Sequence, residues 1–345
     1  MKIIVVESPD DEKGIERFLA VATSVYKDDP IWVPESEQEF VRRFKTAGIG
    51  TEVRMWPVVA LKDGSPVGRA VAILDRVAVD ENGNSQGWLA FFEFMSGNES
   101  AAISILKRCE EILSKAGATS VLAPKADNLL VGLLTDGFTM PQTVLTNHNP
   151  PYYKKIFNKY GYQAKSKILT FNLNRDTVNQ LETTLPGVTT REFNRKKISQ
   201  ELVVFHRLQS YIFAQSDSYV ARSPDQDKEM VESLLPILDD ELIIIAEDSK
   251  RNAIGLLICL PDIYQAFKGQ DIDRARIISV GVMPGWEKRG VGTMMGTHLM
   301  KNLLRKGYRT AEASWILDTN VASHNLVKHF NATPGREFIL FRKIL

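Results

Sequence analysis

Two glycines, Gly290 and Gly292, stand in the stretch VMPGWEKRGVGTMM, with Lys288 and Arg289 immediately before them. A glycine has no Cβ atom, so the backbone can approach a ligand closely at such a position. When a turn of this kind opens a helix, unpaired N–H groups and the helix dipole together attract a negatively charged group. Lysine and arginine add charge-assisted hydrogen bonds to phosphate oxygens. These residue types and their spacing fit a turn that binds phosphate, and the alternative is a turn with only a structural role.

Such a turn needs a strand before it and a helix after it. The run RARIISVGVM predicts a strand, in which every second side chain points to the same side. From residue 291 to residue 303 an apolar side chain recurs at every fourth position, which predicts an amphipathic helix, and Gly307 is placed to end it. The residues predicted to share one face of the strand are Arg276, Ile278, Val280 and Val282.

Two other phosphate-binding motifs fit this stretch poorly. Gly285 and Gly290 have the spacing of a P-loop, but Val-Gly follows where that motif needs Lys and then Ser or Thr. A dinucleotide-binding turn needs a third glycine, and here Gly296 comes one residue late, although an acidic residue, Glu312, follows at a suitable distance. Too little chain follows the turn for a dinucleotide-binding fold that should begin there.

The stretch from residue 282 to residue 307 resembles motif A of the GCN5-related N-acetyltransferase (GNAT) superfamily. In that motif a strand ends in V-x-P, and an R/Q-x-x-G-x-G/A turn opens a long helix. The later run ASWILDTNVASHNLVKHFNA resembles the superfamily's next strand and helix, with an N-x-x-A/S pattern at Asn320 and Ser323. The resemblance covers residues 188–345. It implies an α/β domain with a mixed, mainly antiparallel sheet flanked by helices.

The resemblance implies that acetyl-CoA is the co-substrate and that the turn binds its pyrophosphate. The pantetheine arm is expected to pair like an extra strand with the splayed end of the fourth strand, where Gly281 suits a bulge or a close backbone approach. One position departs from the motif, because Glu287 stands where the family has Arg or Gln. Its carboxylate is expected to turn outward, toward Lys288 or Arg289. The implied acetyl-CoA-binding residues are Gly281, Val282, Met283, Glu287, Lys288, Arg289, Gly290, Val291, Gly292, Thr293 and Asn320.

Acyl transfer to an amine requires that the amine lose a proton, that the thioester oxygen be polarised and that the thiolate leave. By the resemblance, a backbone N–H near Val282 or Met283 polarises the oxygen. The tyrosine that usually assists the thiolate is expected at a position where this chain has Val327. The alternative for the remaining candidates is a solvated or helix-capping role, with the proton passing through water. The candidate catalytic residues are Glu312, Asp318 and Ser323, with His329 on the same helix as Ser323.

The acceptor is expected to be an amine, carried by a small molecule or a peptide. In the fold that the resemblance implies, the loop after the first helix borders the acceptor cleft. Here that loop is SYIFAQSDSYVARSPDQDK, in which Tyr211, Asp217 and Tyr219 are the candidates for selecting the acceptor. The sequence does not identify the acceptor further.

The N-terminal half repeats the element order of the C-terminal half. LSKAGATSV aligns with LLRKGYRTA, and NKYGYQAKSKILTF aligns with KHFNATPGREFILF, at offsets that predict an insertion at residues 127–147. Its fourth strand leads into SGNES, which has one glycine and an acidic residue where the phosphate turn should be. We therefore predict two tandem GNAT-like acyl-CoA N-acyltransferase domains, joined by a polar seam within residues 174–187. The predicted ranges are 1–175 for a degenerate domain and 176–345 for the acetyl-CoA-binding domain.

Composition limits the class of protein. The 345 residues are 44% apolar and 25% charged, with a formal net charge of +1, which predicts a globular chain with no overall attraction to nucleic acid or anionic membrane. No apolar run approaches the ~20 residues of a membrane span, and the first residues lack a signal-peptide pattern. Two distant cysteines and five scattered histidines predict a cytoplasmic setting and no metal site.

The function predicted from these features is acetyl-CoA-dependent N-acyl transfer by the C-terminal domain of a monomer or homodimer. Two alternatives stay open. One is a non-catalytic acyl-CoA-binding or interaction protein, because Val327 replaces the expected acid. The other is aminoacyl or long-chain acyl transfer on the same fold.

Overall fold

The computed structural model describes residues 1–34, 36–48, 52–125, 131–177, 182–212 and 223–345. Two compact units divide the chain. The N-terminal unit comprises Met1–Ile168 and Arg336–Leu345, and the C-terminal unit comprises Leu169–Gly335. No helix among the described residues is long and apolar enough to cross a membrane.

The N-terminal unit is a sheet flanked by helices on both faces. Its strands run in the order β1-β2-β3-β4-β5 and continue with the last strand of the chain, β13. All these pairs are antiparallel except β4–β5, which is parallel. The elements are β1 Lys2–Val5, α1 Glu12–Val25, α2 Glu37–Thr46, β2 Val53–Lys62, β3 Ser65–Val79, β4 Ser85–Phe94, α3 Glu99–Lys115, β5 Ser120–Lys125, β6 Leu133–Asp136, α4 Tyr153–Lys159 and β7 Gln163–Asn174.

The C-terminal unit has the same plan. Its strand order is β7-β12-β11-β10-β9-β8, and β11–β12 is its parallel pair, while β8–β9, β9–β10 and β10–β11 are antiparallel. The elements that follow β7 along the chain are β8 Val188–Glu192, α5 Ile198–Ile212, α6 Pro224–Leu234, β9 Ile243–Asp248, β10 Ala253–Pro261, α7 Tyr264–Phe267, β11 Arg274–Val282, α8 Val291–Arg305, β12 Thr310–Leu317, α9 Val321–His329 and β13 Thr333–Ile344. The mixed α/β fold with two tandem units is therefore confirmed.

The two units repeat each other down to single hydrogen bonds. Met95 N–H donates to the Val67 carbonyl at 3.0 Å, and Met283 N–H donates to the Ile254 carbonyl at 2.7 Å. After the last helix of each repeat, the N–H of Tyr162 bonds to the carbonyl of Phe157, and that of Ala332 bonds to the carbonyl of Val327, both at 3.0 Å. These matched bonds make Phe94 the counterpart of Val282, and Phe157 the counterpart of Val327. They support the predicted duplication.

The last strand belongs largely to the N-terminal unit. Residues Phe341–Ile344 of β13 pair antiparallel with Ala123–Ser120 of β5, and the Phe341 ring stacks on Phe157 with centroids 5.2 Å apart. The predicted ranges 1–175 and 176–345 are each continuous, whereas the N-terminal unit also includes Arg336–Leu345. A single boundary at 175/176 therefore does not divide the chain into these two units. The assignment of a degenerate and an acetyl-CoA-binding role to those ranges stays a prediction.

The predicted common face of β11 is wrong at its centre. Ile258 pairs with Ser279 while Cys259 pairs with Ile277, so Ile278 is an extra residue in β11, a β-bulge. The bulge inverts the alternation beyond it. Arg276 therefore shares a face with Ser279 and not with Val280, because a strict period of two holds only in a regular strand.

Candidate functional site

The parallel strands β11 and β12 separate part-way along their length. Their pairing runs from Arg274 opposite Thr310 to Ile277 opposite Ala313 and stops there. Beyond that point each strand continues, β11 to Val282 and β12 to Leu317. The bulge at Ile278 coincides with the point of separation. A wedge-shaped opening therefore lies between two strands that are paired at one end only.

A cavity of about 140 Å³ occupies this opening. Its walls are formed by residues 277–280 of β11, residues 313–316 of β12, and side chains from β10, α8 and α9. Most lining groups are apolar, and among the described residues the lining contains no carboxylate, histidine, tyrosine or cysteine. The cavity is therefore suited to an apolar group and carries no titratable side chain of its own.

The open edge of β11 presents backbone groups toward the gap. Because Met283 N–H donates to the Ile254 carbonyl, Met283 and Gly281 form the hydrogen-bonded pairs with β10. In an antiparallel pair the residues between them point the other way, so the N–H and C=O of Val280 and Val282 face the β12 side. Of the two predicted oxyanion donors, Met283 is thus engaged in the sheet, and Val282 is directed into the opening.

For two residues of β11 on the face toward α5, Gly281 and Ser279, the structure changes the interpretation made from the sequence. A Cβ atom on Gly281 would lie 2.2 Å from Ile212 Cγ2, so this glycine admits the end of α5, and the bulge is at Ile278 instead. Ser279 was not predicted as a site residue. Its Oγ is buried, lines the cavity wall and has no hydrogen-bond partner. The hydroxyl of this serine, within the otherwise apolar run IISVGV, is the signal in the sequence that could have identified it.

The turn before α8 has the predicted strand–turn–helix form. Gly285 and Gly290 adopt left-handed conformations, with φ of 85° and 87°, and Gly290 is the N-cap of α8 without a side-chain cap. Met294 N–H is the first in the helix to reach back, to the Gly290 carbonyl at 2.9 Å. The preceding N–H groups, of Val291, Gly292 and Thr293, are those that a helix leaves without an internal partner.

The charged side chains of the turn take up definite positions. Glu287 Oε2 accepts a hydrogen bond from Gly285 N–H at 2.6 Å, so its carboxylate turns to the backbone of the turn and not to Lys288 or Arg289 as expected. The Arg289 guanidinium lies over the Trp286 ring, 5.3 Å from its centroid. Lys288 is exposed, with φ of 59°. A negative charge therefore stays in the turn, held by one of its own N–H groups.

Comparisons with known proteins identify this arrangement. Residues 209–331 match the model of the Acetyltransferase (GNAT) family. A tandem GNAT protein from the clavulanic acid biosynthesis pathway aligns with 99% of this chain and 98% of its own, with a TM-score of 0.67 and 11% identity. The chain has the GNAT fold. The predicted superfamily resemblance is thereby confirmed for the fold.

Two curated proteins are similar over nearly the whole length. Protein YghO of Escherichia coli is 23% identical over 367 residues, which cover 96% of this chain and 93% of that protein. A protein named bacterial ceramide synthase, of Caulobacter vibrioides, is 22% identical over 381 residues, which cover 100% of this chain and 98% of that protein.

Helix α9 forms one wall of the cavity between β11 and β12. Asn320 is its N-cap, and its side chain accepts a hydrogen bond from Ser323 N–H at 3.0 Å. Asn320, Ser323 and Val327 all line the cavity, whereas His329 is exposed. The structure thus brings Ser323 and Val327 together with the open edge of β11. Asn320 both lines the cavity and caps the helix.

The two predicted carboxylates do not line the cavity. Glu312 is buried next to Arg276, whose Nε is 4.0 Å from Glu312 Oε1, and it accepts a hydrogen bond from Ser314 Oγ at 3.1 Å. Arg276 Nε donates to the same Ser314 Oγ at 2.7 Å. Ser314 lines the cavity, so its hydroxyl links Glu312 to the cavity. Asp318 is exposed beyond the end of β12.

The predicted acceptor loop is described only in part. Tyr211 is exposed in the last turn of α5. Asp217 and Tyr219 lie outside the described residues, so their proposed role stays a prediction. Ile212 is the last described residue before them, and it covers Gly281.

In the N-terminal unit the corresponding opening is filled by tyrosines. Phe94 N–H donates to the Tyr153 hydroxyl oxygen at 2.9 Å, and the Tyr152 hydroxyl donates to the Phe94 carbonyl at 2.9 Å. The Tyr153 hydroxyl in turn donates to Glu93 Oε2 at 2.6 Å. Phe94 is the counterpart of Val282, so the backbone groups that face the opening in the C-terminal unit are satisfied internally here. The sequence analysis did not assign Tyr152 and Tyr153 to this opening.

The tyrosine hydroxyls are held in their protonated form. Burial, and after it the nearby Glu93 carboxylate, raise the pKa of Tyr152 to about 12. Burial and then Glu93 also raise the pKa of Tyr153 well above its ordinary value. Both hydroxyls therefore remain hydrogen-bond donors at neutral pH, and the closed edge of β4 is stable there.

Proposed function

We propose that the C-terminal unit binds acyl-CoA and transfers its acyl group to an amine. The observation that carries the proposal is the separation of β11 from β12 beyond Ile277 and Ala313. It leaves the peptide groups of Val280 and Val282 directed toward an apolar cavity, in a unit whose next helix begins with unpaired N–H groups. The family match at residues 209–331 supports the same function.

The residues of this unit fit each part of an acyl-CoA molecule. The N–H groups of Val291, Gly292 and Thr293 would bind the pyrophosphate, because a helix N-terminus attracts anions. The open edge of β11 would pair with the amides of the pantetheine arm, and the unpaired Ser279 hydroxyl is available to it. The cavity would hold the acyl end. Acetyl-CoA, which the resemblance implied, is one donor of this class.

For the chemistry, bound acyl-CoA would supply the thioester. The Val282 N–H, which faces the opening, would donate to the thioester oxygen as that oxygen gains charge, and a preorganised backbone donor of this kind lowers the barrier to acyl transfer. The apolar walls exclude water, which limits hydrolysis. With Val327 at the position of the usual tyrosine, this chain provides no hydroxyl from that position to the leaving thiolate. The amine would lose its proton to water, or to Glu312 through Ser314.

A non-catalytic acyl-CoA-binding role is the second candidate. The observation that favours it is the absence of any titratable side chain from the cavity lining among the described residues. The two candidates predict the same binding and differ in turnover. Thiol release from acyl-CoA in the presence of amines therefore separates them.

The acceptor proposed for the first assays is a long-chain amine. The relative from Caulobacter vibrioides is named a ceramide synthase, and a ceramide is an amide of a sphingoid amine. We would assay sphinganine first, followed by polyamines, amino sugars and peptides with a free N-terminus. Amine-dependent release of CoA at several times the hydrolysis rate supports the enzyme, whereas tight binding with no amine-dependent release supports the non-catalytic role.

The binding proposal is tested with Gly292→Asp in the full chain. A Cβ atom at Gly292 would meet only Leu326 Cδ2, at 3.9 Å, so the substitution introduces a carboxylate at the helix N-terminus without a steric clash. We expect one CoA site per chain in the wild type and at least a tenfold loss of affinity in the variant, measured by calorimetry. Gly292→Ala is the matched control and should bind almost as the wild type does. Equal affinity of the Asp and Ala variants would contradict the proposal.

A further inference from the structure

We infer that the cavity between β11 and β12 takes the donor's acyl chain, and that this chain is apolar and about six carbons long. The inference rests on the proposed function and adds the substrate class of the same site. It is carried by the volume of the cavity, by the chemistry of its walls and by the comparison of the two repeats.

The volume is too large for acetyl. The cavity measures about 140 Å³, similar to the ~150 Å³ apolar cavity that accommodates benzene in a protein core. An acetyl group has two carbons and would leave much of the wall without contacts, which forfeits dispersion attraction. A chain of about six carbons would fill the space.

The walls select an apolar chain. Leu257, Leu299 and Met300 line the cavity, with Phe330 on α9. These side chains are all buried. No lysine, arginine or histidine among the described residues lines the cavity, so the second carboxylate of a succinyl group would be buried without a counter-charge, which is strongly unfavourable.

In the N-terminal repeat, a large side chain takes up the space that corresponds to this cavity. Phe157 is the counterpart of Val327, and it is fully buried with its ring 5.0 Å from that of Phe92 and 5.2 Å from that of Phe341. In the C-terminal unit the smaller Val327 stands at that place and lines the cavity. The size of this one side chain therefore determines how much room remains for an acyl chain.

The test compares the affinities of CoA, acetyl-, butyryl-, hexanoyl-, octanoyl- and succinyl-CoA for the full chain by calorimetry. Each methylene that enters an apolar site is expected to tighten binding about fourfold. We expect affinity to rise from acetyl to hexanoyl and then to level off or fall at octanoyl. Succinyl-CoA is expected to bind more weakly than butyryl-CoA, which has the same number of carbons.

Two substitutions at one position move the optimum in opposite directions. Val327→Phe should abolish the gain from acetyl to hexanoyl, and Val327→Ala should move the optimum to a longer chain. Val321→Phe and Val321→Ala are matched controls, because Val321 is on the same helix and 68% exposed. Thermal unfolding of each variant checks that it is folded, and the ratio of hexanoyl to acetyl affinity cancels any general loss of CoA binding.

The outcomes separate this inference from the proposed function. If CoA binds but acetyl-CoA is the tightest ligand, or succinyl-CoA matches butyryl-CoA, the inference is overturned and the proposed function stands. A chain-length optimum that neither Val327 variant moves also overturns it. If no form of CoA binds, the proposed function fails first.

Discussion

By the GNAT resemblance, a tyrosine near the sulfur is expected at the position of Val327, which lines the cavity. A general acid typically contributes 10²–10⁴-fold to a rate. We therefore expect slow turnover whose rate rises with pH as the amine loses its proton. It should show no decline near pH ~10, where a tyrosine would lose its own proton. The measurement is the pH–rate profile of the wild type with an amine that supports turnover.

The control for this prediction is Val327→Tyr. If the ring fits, the variant gains a decline at high pH that the wild type lacks; overpacking would cost about 1–3 kcal/mol of stability. Circular dichroism across the same pH range confirms that the fold persists. A high-pH decline in the wild type that disappears in a Ser323→Ala or Ser279→Ala variant would show that another group acts as the acid.

At the scale of elements, α4 and α9 are counterparts with opposite effects on the opening beside them. Tyr153 in α4 accepts the Phe94 N–H, whereas Ser323, its counterpart in α9, leaves the edge of β11 facing the cavity. We expect Ser323→Tyr to close the C-terminal opening as Tyr153 closes the N-terminal one. CoA affinity should fall at least tenfold, measured by calorimetry.

The substitution Asn325→Tyr is the control for Ser323→Tyr. Asn325 lies on the same helix and is exposed, and its counterpart in α4 is Lys155 and not one of the two tyrosines, so a tyrosine there adds the same side chain outside the cavity. Its CoA affinity should match that of the wild type. Unchanged affinity in a folded Ser323→Tyr variant would show that the opening is not the route of the pantetheine arm.

At the scale of the whole molecule, the N-terminal unit depends on the last residues of the chain. Phe341 in β13 is 1% exposed and packs against Phe157 within that unit. Phe341→Ala should therefore lower the stability of the N-terminal unit by about 3–5 kcal/mol. Hydrogen exchange of the β5 and α4 amides reports this change. A fragment that ends near residue 174 lacks this strand, so tests of the N-terminal unit require the full chain.

An exposed phenylalanine serves as the control for Phe341→Ala. Phe267 is 68% exposed, so Phe267→Ala should change stability by no more than about 0.5 kcal/mol. Exchange in β5 and α4 should then be the same as in the wild type. Equal exchange in the Phe341→Ala variant would show that the last strand adds little to the stability of the N-terminal unit.

The sequence by itself determined the features that depend on neighbouring residues. The strand, the glycine turn and the helix from Val291 follow from local periodicity and from the conformations that glycine allows, and the structure has them. The repeat of element order was also predictable from the sequence, because aligned segments keep the same order of helices and strands. The seam and the absence of the usual tyrosine at Val327 stay predictions.

The tertiary structure decided whatever depends on contacts between distant segments. The bulge at Ile278 arises from the pairing of β11 with β10, so the alternation of the strand alone could not reveal it. The hydrogen bond that engages the Phe94 N–H is accepted by Tyr153, which is 59 residues away along the chain. Val327 lines the cavity at the place where its counterpart Phe157 is buried among aromatic rings. Packing against partners remote in sequence sets these three features, and local periodicity carries no information about them.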